Sequence, residues 1–136
     1  MAGSAAYARI KTDVLAIVAL IPRGRVATHK HIGRHLKVMP RHVATILATL
    51  DDADRAAVPW WRVVADGGAI GRHVRRDDQM QRLRADGVVL SPVGIVQDLA
   101  ERWIEDIGAL LAGQVKSPPE PKSRARGLRN KPTSTV

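Results

Sequence analysis

Thr28-His29-Lys30-His31-Ile32-Gly33-Arg34-His35-Leu36, the link Lys37-Val38-Met39, and Pro40-Arg41-His42-Val43-Ala44-Thr45-Ile46-Leu47 form the stretch that decides the fold. Thr28 is a good N-cap, because its hydroxyl can accept from an unpaired amide of the first turn. Ile32 and Leu36 stand four apart and share a helix face. Gly33 between them permits close approach of another backbone. Pro40 suits the first turn of a following helix, where its missing N–H costs nothing. That helix points Val43, Ile46, Leu47 and Leu50 inward and starts its outward face with Arg41, His42 and Thr45. Two short helices on a tight connection outline a helix-turn-helix. The second helix of such a pair enters a DNA groove with its N-terminal residues nearest the bases, so Arg41 is where a base-level contact is expected. A small helical bundle would show the same pair.

Upstream, Ile10, Val14, Ile17, Val18 and Ile21 repeat at helical spacing, and Pro22-Arg23-Gly24 stops the run. The expectation is a helix over residues 5–20. Downstream, Asp51-Asp52-Ala53-Asp54-Arg55 reads as a polar loop. It leads to Pro59-Trp60-Trp61-Arg62-Val63-Val64 and the turn Asp66-Gly67-Gly68. Residues 58–64 with Ile70 predict a small β-hairpin around that turn, which after a helix-turn-helix makes a wing. In an extended segment neighbouring side chains point to opposite faces, so only one of Trp60 and Trp61 would face the core. Residues 78–85 read as a helix with Met80 and Leu83 inward and Gly87 as its stop. Ser91-Pro92 opens a further helix with the stripe Ile95 or Val96, Leu99, Trp103, Ile107 and Leu110. Trp103 reads there as core rather than ligand site.

With 136 residues and 45% hydrophobic content, the chain has room for one domain with a core of its own. The expected division is a domain over residues 5–113 and a basic, disordered tail over residues 114–136. The tail carries Lys116, Lys122, Arg124, Arg126, Arg129 and Lys131 against Glu120, with prolines that discourage a packed core. Subtracting the tail's +5 from the formal net charge of +9 leaves +4 on the body. A polyanion is the natural partner of such a balance. No apolar run is long enough to span a bilayer, and the first residues lack the pattern of a secretory signal. The expected location is the cytoplasm, in association with the nucleoid. Cysteine is absent, which excludes disulfides, thiolate metal ligands and a thiol nucleophile.

Taken together these residues resemble the DNA-binding domain of the O6-alkylguanine-DNA alkyltransferases, and specifically the alkyltransferase-like proteins, which lack the reactive cysteine. The resemblance rests on six pieces in order. They are residues 21–28 (Ile-Pro-Arg-Gly-Arg-Val-Ala-Thr), Ile32-Gly33, Arg41-His42-Val43, residues 59–64, Gly68-Ala69-Ile70-Gly71, and Asp86-Gly87. It spans roughly residues 14–87 and leaves out the stretch after Ser91 and the tail. It implies that Trp60 stands where the enzymes carry the alkyl-accepting cysteine, and Trp61 where they carry its histidine. Neither indole can take an alkyl group in that way, so no catalytic residue and no alkyl transfer are expected. Asp86 takes the place of a glutamate and, with no histidine to orient, is expected to serve as a salt bridge or cap.

The resemblance further implies that Arg41 fills the gap left by a flipped nucleotide and that the helix enters the minor groove. His29 stands at the position of a phosphate-rotating tyrosine. His73 and Val74 stand near a tyrosine and serine that meet the guanine oxygen, and Arg75 and Arg76 replace flanking glycines. An asparagine expected around Leu50-Asp51 is missing. The DNA-facing set expected on this reading is Thr28, His29, Arg41, His42, Thr45, Arg62, Arg72, Arg75 and Arg76. The lesion pocket expected is Trp60, Trp61, His73 and Val74, with Trp61 either lining or filling it.

His29, His31 and His35 have a spacing reminiscent of metal ligands, but no carboxylate or cysteine completes a set and this helix is expected to be solvated. No metal and no cofactor are expected. The Asp51-Asp52-Asp54 group and Asp77-Asp78 read as solvated or helix-start charges. The leading expectation is a monomeric, non-enzymatic protein of double-stranded, alkylated DNA that recognises O6-alkylguanine and hands it to nucleotide excision repair proteins. A winged-helix regulator or architectural protein without lesion specificity is the second. A protein-interaction domain that uses the helix after Ser91 is a weaker third.

Overall fold

The structure, a computed structural model, describes residues 2–115, with side chains from Ala5 onward. The expected tail from Lys116 onward lies outside the described residues. Seven helices are described: α1 (Ala2–Val18), α2 (His29–Leu36), α3 (Pro40–Ala48), α4 (Asp52–Ala57), α5 (Arg76–Ala85), α6 (Leu99–Arg102) and α7 (Ile107–Leu111). Two strands of two residues each, β1 (Ala27–Thr28) and β2 (Val63–Val64), pair in parallel with Ala27 opposite Val63 and Thr28 opposite Val64. The protein is mainly helical, as the apolar periodicity requires.

The α2–α3 pair forms as its sequence dictates. Thr28 caps α2 by accepting from the His31 amide, and Lys37 ends it in the left-handed conformation (φ 62°). Gly33 is the contact point of the turn. A Cβ there would stand 2.6 Å from the Val38 carbonyl oxygen, so α2 approaches the link more closely than any other residue would allow. Val14, Ile17, Val18 and Ile21 from the first helix and its exit meet Ile32, Val43, Ile46 and Leu50 in one buried cluster, together with Ile104, Ile107 and Leu110. A second cluster holds Val26, Val64, Ile70, Met80, Leu83, Val88 and Val96. Trp61 packs against both.

Three expectations need correcting. The Asp51-Asp52 stretch is a helix rather than a loop: Asp51 caps α4 through the Asp54 amide, and Lys11 of α1 pairs with Asp54 at 2.9 Å. Residues 58–70 do not form a hairpin. The positive-φ pair Gly67 and Gly68 (78° and 85°) turns the chain across Asp66–Gly68, with a kink at Gly67. β2 is then taken by β1, and in place of the hairpin Ala69 makes an isolated antiparallel bridge to the distant Ile95, whose own segment folds back on itself through a Leu90–Val96 bridge. The long helix after Ser91 is also absent. Ser91 caps a turn, donor and acceptor to residues 94–95, and the apolar stripe is divided between α6 and α7. Between these helices Trp103 bridges to Val26, with Val26 N–H donating to Arg102 and Ile104 N–H donating to Val26. A helix through Trp103 would leave the outer edge of Val26 unpaired in the interior, and that backbone requirement outweighs local periodicity.

Candidate nucleic-acid interface

The site begins at Pro59-Trp60-Trp61-Arg62. Val58 is extended and Pro59 lies at φ −79°, ψ 68°, from which the chain enters a 3₁₀ turn, Trp60–Arg62, rather than a strand. The turn is closed by Arg62 N–H donating to Pro59 and Val63 N–H donating to Trp60. In such a turn successive side chains diverge by about a third of a circle. The two indoles accordingly stand edge to face, 6.1 Å apart at 90°. Trp60 is buried and Trp61 half-buried.

Trp61 is fixed from outside the turn by Asp86, which closes α5. Its indole N–H donates to Asp86 Oδ2 at 3.0 Å. Arg62 reaches the same carboxylate twice, Nε to Oδ2 at 2.7 Å and Nη2 to Oδ1 at 3.1 Å, and its Nη1 donates to the Ile21 carbonyl at 2.9 Å. Both partners are nearly buried, with side chains 15% and 8% exposed. Arg82 covers the outer faces of the tryptophans, 4.9 Å from the Trp61 ring and 5.9 Å from Trp60, a cation–π geometry. On the Arg82 side both indoles line a hollow of about 540 Å³ with Arg55, Arg62 and Arg82; on the other side of the turn the buried Trp60 alone of the two borders a second space.

That space is a cavity of about 240 Å³ walled by His29, Ala44, Leu47 and Ala48 of the helix pair, Trp60, Val63, Val64 and Ala65 of the turn and strand, and residues 71–75 with Gln79. Trp61 does not line it. The cavity is smaller than the roughly 300–1,000 Å³ of drug-sized sites and suits one planar group. A third hollow, about 360 Å³, is lined by His29, Lys30, Pro40, Arg41, Ala44, Ala65 and Asp66. It shares His29, Ala44 and Ala65 with the cavity, so one groove runs from Arg41 at the start of α3 to the cavity.

Burial, and secondarily His73, lowers the His29 pKa from 6.5 to about 4, so the ring between the two hollows is uncharged at neutral pH. His31 is also lowered, by burial first and then by Arg34. It is packed edge-on to Trp103 at 4.8 Å and is not on the solvated surface its helix was expected to present. Among the described residues no group of His, Asp and Glu could hold a metal ion.

The family model for the 6-O-methylguanine DNA methyltransferase DNA-binding domain matches residues 9–88. The chain belongs to this family. Within it, the relatives found are alkyltransferase-like. A DNA base-flipping protein of Vibrio parahaemolyticus is 30% identical over 94 residues, 67% of this chain and 92% of that protein. Two crystal structures of S. pombe Atl1 superpose on the fold. One, in complex with damaged DNA containing O6-carboxymethylguanine, has a TM-score of 0.62 at 26% identity, covering 72% of this chain and 96% of that one. The other, an ATL in complex with DNA, has a TM-score of 0.61 at 25% identity with the same coverage.

The residues expected to face DNA divide by exposure. Arg41, His42 and Thr45 stand exposed on one face of α3, and Arg72, His73 and Val74 are exposed on the loop across the groove. Val74 is 97% exposed. Arg75 is half-buried at the cavity wall. Three others are turned away. Thr28 is fully buried, its hydroxyl used as the α2 cap. Arg62 is committed to Asp86 and Ile21. Arg76 ties two segments together, its guanidinium donating to Ile70, Gly71 and Val93 carbonyls. Carboxylate and carbonyl oxygens claim the two arginines, whereas the Thr28 hydroxyl accepts from the His31 amide.

Sequence reading missed Gln79 and Arg82. Arg82 had a signal, the four-residue spacing from Asp78 with which it pairs at 3.0 Å. Gln79 had none, because its partners lie 6, 16 and 18 residues away, at no helical spacing.

Proposed function

We propose that this protein recognises alkylated guanine in double-stranded DNA by flipping the nucleotide, holds it without transferring the alkyl group, and so marks it for excision repair. The observation that carries this reading is the cavity beside α3, with Trp60 as its wall and Trp61 fastened outside it. By the resemblance Trp60 stands in the place of the alkyl-accepting cysteine, and with no cysteine in the chain no thiol is there to accept the group. The base-flipping relative and the structural neighbour bound to O6-carboxymethylguanine DNA support the same reading.

Its steps follow from charge and shape. The basic body draws the duplex to the α3 face. Arg41, at the end of the groove, enters the stack and fills the gap left by the extruded base. O6-alkylation weakens pairing, and a weakened base is the cheapest to extrude, which gives the first layer of selectivity. The Trp60 ring then offers stacking worth ~1–3 kcal/mol. Arg72 and Arg75 hold the backbone beside the cavity mouth, while His73 and Val74 meet the substituted edge of the base. Neutral His29 contributes a hydrogen bond to the backbone but no ion pair. The protein acts as a monomer in the cytoplasm, on the nucleoid, and its downstream partners are excision repair proteins.

The test is a titration of matched duplexes, one with O6-methylguanine and one with guanine, at fixed salt, followed by tryptophan fluorescence. Quenching and tighter binding on the modified duplex are expected. Equal affinity for both duplexes would leave a winged-helix binder without lesion specificity.

A further inference from the structure

We infer that Gln79 is the positioning residue of the cavity, fastening the loop that carries His73 and Val74 to the turn that carries Trp60. The inference rests on the reading above for its consequence in binding, but its geometry stands by itself. Gln79 is 4% exposed although it is polar and lies on α5, outside the DNA-facing set. Its amide nitrogen donates to the carbonyls of Val63 (2.9 Å) and Trp61 (3.2 Å), both in the segment that forms the cavity floor. Its amide oxygen lies 2.8 Å from His73 Nε2. The Arg75 N–H donates to His73 Nδ1 at 3.1 Å, so in the neutral ring the proton sits on Nε2 and points at Gln79.

Each atom of this chain has one role. Two carbonyls accept from the amide nitrogen, the amide oxygen accepts from His73, and His73 accepts from the loop backbone. A buried amide satisfied on both ends is rigid, because rotating it would leave two carbonyls and a ring N–H without partners. Residues 71–74 are otherwise exposed and carry no apolar anchor: Val74 faces solvent. Arg76 ties the start of the loop through the Ile70 and Gly71 carbonyls, and Gln79, reached through the His73 ring, is the tie between its middle and the turn that carries Trp60. The width of the mouth, and with it discrimination between a substituted and an intact base, follows from that amide.

The experiment uses the full chain with Gln79→Met, His73→Ala and the double variant. Affinity is measured for O6-methylguanine and guanine duplexes at one salt concentration, and amide exchange in the free protein. Gln79→Met nearly conserves volume but cannot form the three bonds. It is expected to lower the lesion preference by about tenfold, the effect of one lost bond of ordinary strength, with affinity for the intact duplex little changed. The Arg75 amide should exchange faster, while α3 amides keep their protection. The double variant should lose no more preference than the greater single loss, because both act through one chain of bonds. Equal weakening on both duplexes, additive losses, or unchanged Arg75 exchange would each overturn the inference. Should Gln79→Met fail to fold, Gln79→Glu, which keeps an acceptor for His73 but loses the amide donor to the Val63 and Trp61 carbonyls, keeps the test decisive: lesion preference unchanged in that variant would overturn the inference. Wild-type protein without lesion preference overturns the functional reading, whereas the exchange result judges the positioning role alone.

Discussion

Asp86 shows how a position can keep its charge and change its work. In the family's enzymes the resemblance places a histidine beside an acidic residue; here an indole N–H and a guanidinium share the carboxylate. Replacing it by Asn leaves Arg62 charged, nearly buried and unpaired, and should cost about 3–5 kcal/mol. Trp61→Phe removes the indole donor and part of the ring's packing but leaves the Arg62–Asp86 pair, and should cost about 2 kcal/mol. Urea denaturation of both variants checks the order; a cheaper Asp86→Asn would mean that the ion pair is not what orients the turn. His29 makes a pH prediction. Its folded pKa is lowered from 6.5 to about 4, so the unfolded chain binds more protons between those values. Stability should therefore fall as pH drops through that window, on account of this group, and be unaffected by it above 6.5. His29→Gln should flatten that part of a stability–pH curve.

At the level of elements, α3 carries the candidate contacts and the α2–α3 turn sets its angle. Gly33→Ala would place a methyl group against the Val38 carbonyl. A thermal melt should show a loss of about 1–3 kcal/mol, the ordinary cost of overpacking, and DNA affinity should fall because α3 is displaced. Arg41→Ala does the opposite. Exposed at the start of α3, it should leave the melting temperature unchanged and lower affinity for the lesion duplex by about tenfold, worth ~1.4 kcal/mol. Retention of the preference by Arg41→Ala would remove Arg41 from the flipping step. The α2–α3 pair itself was legible in the sequence, because capping, Gly33 and Pro40 are local signals. What replaces the wing was not. Asp66-Gly67-Gly68 does turn the chain, but the strand it was expected to close a hairpin with is matched instead to residues 27–28, 36 positions earlier.

For the whole molecule, charge is divided between a body of +4 and a tail of +5. Removing residues 116–136 deletes six basic side chains. If all six neutralise phosphates, the slope of log affinity against log salt should decrease by about 5. Lesion preference should stay as it is, since backbone charge is indifferent to the base. A binding series from low to high salt on the shortened and full chains measures both quantities together. A truncated chain that loses its preference would show that the tail reads the lesion.

The sequence by itself determined the helical class, the α2–α3 pair, the outward face of Arg41, His42 and Thr45, and the want of an alkyl-accepting thiol. These depend on residue identity and on neighbours within a few positions. Only the tertiary structure decided which tryptophan faces the cavity. The turn at Pro59 sets the two indoles apart, and the choice between them is made by Asp86, 25 residues from Trp61. It also buried Thr28, committed Arg62 and Arg76 to oxygen partners within the protein and brought Gln79 to the cavity wall. An arginine or amide goes to whichever buried oxygen lacks a partner, and long-range packing alone determines where such oxygens lie.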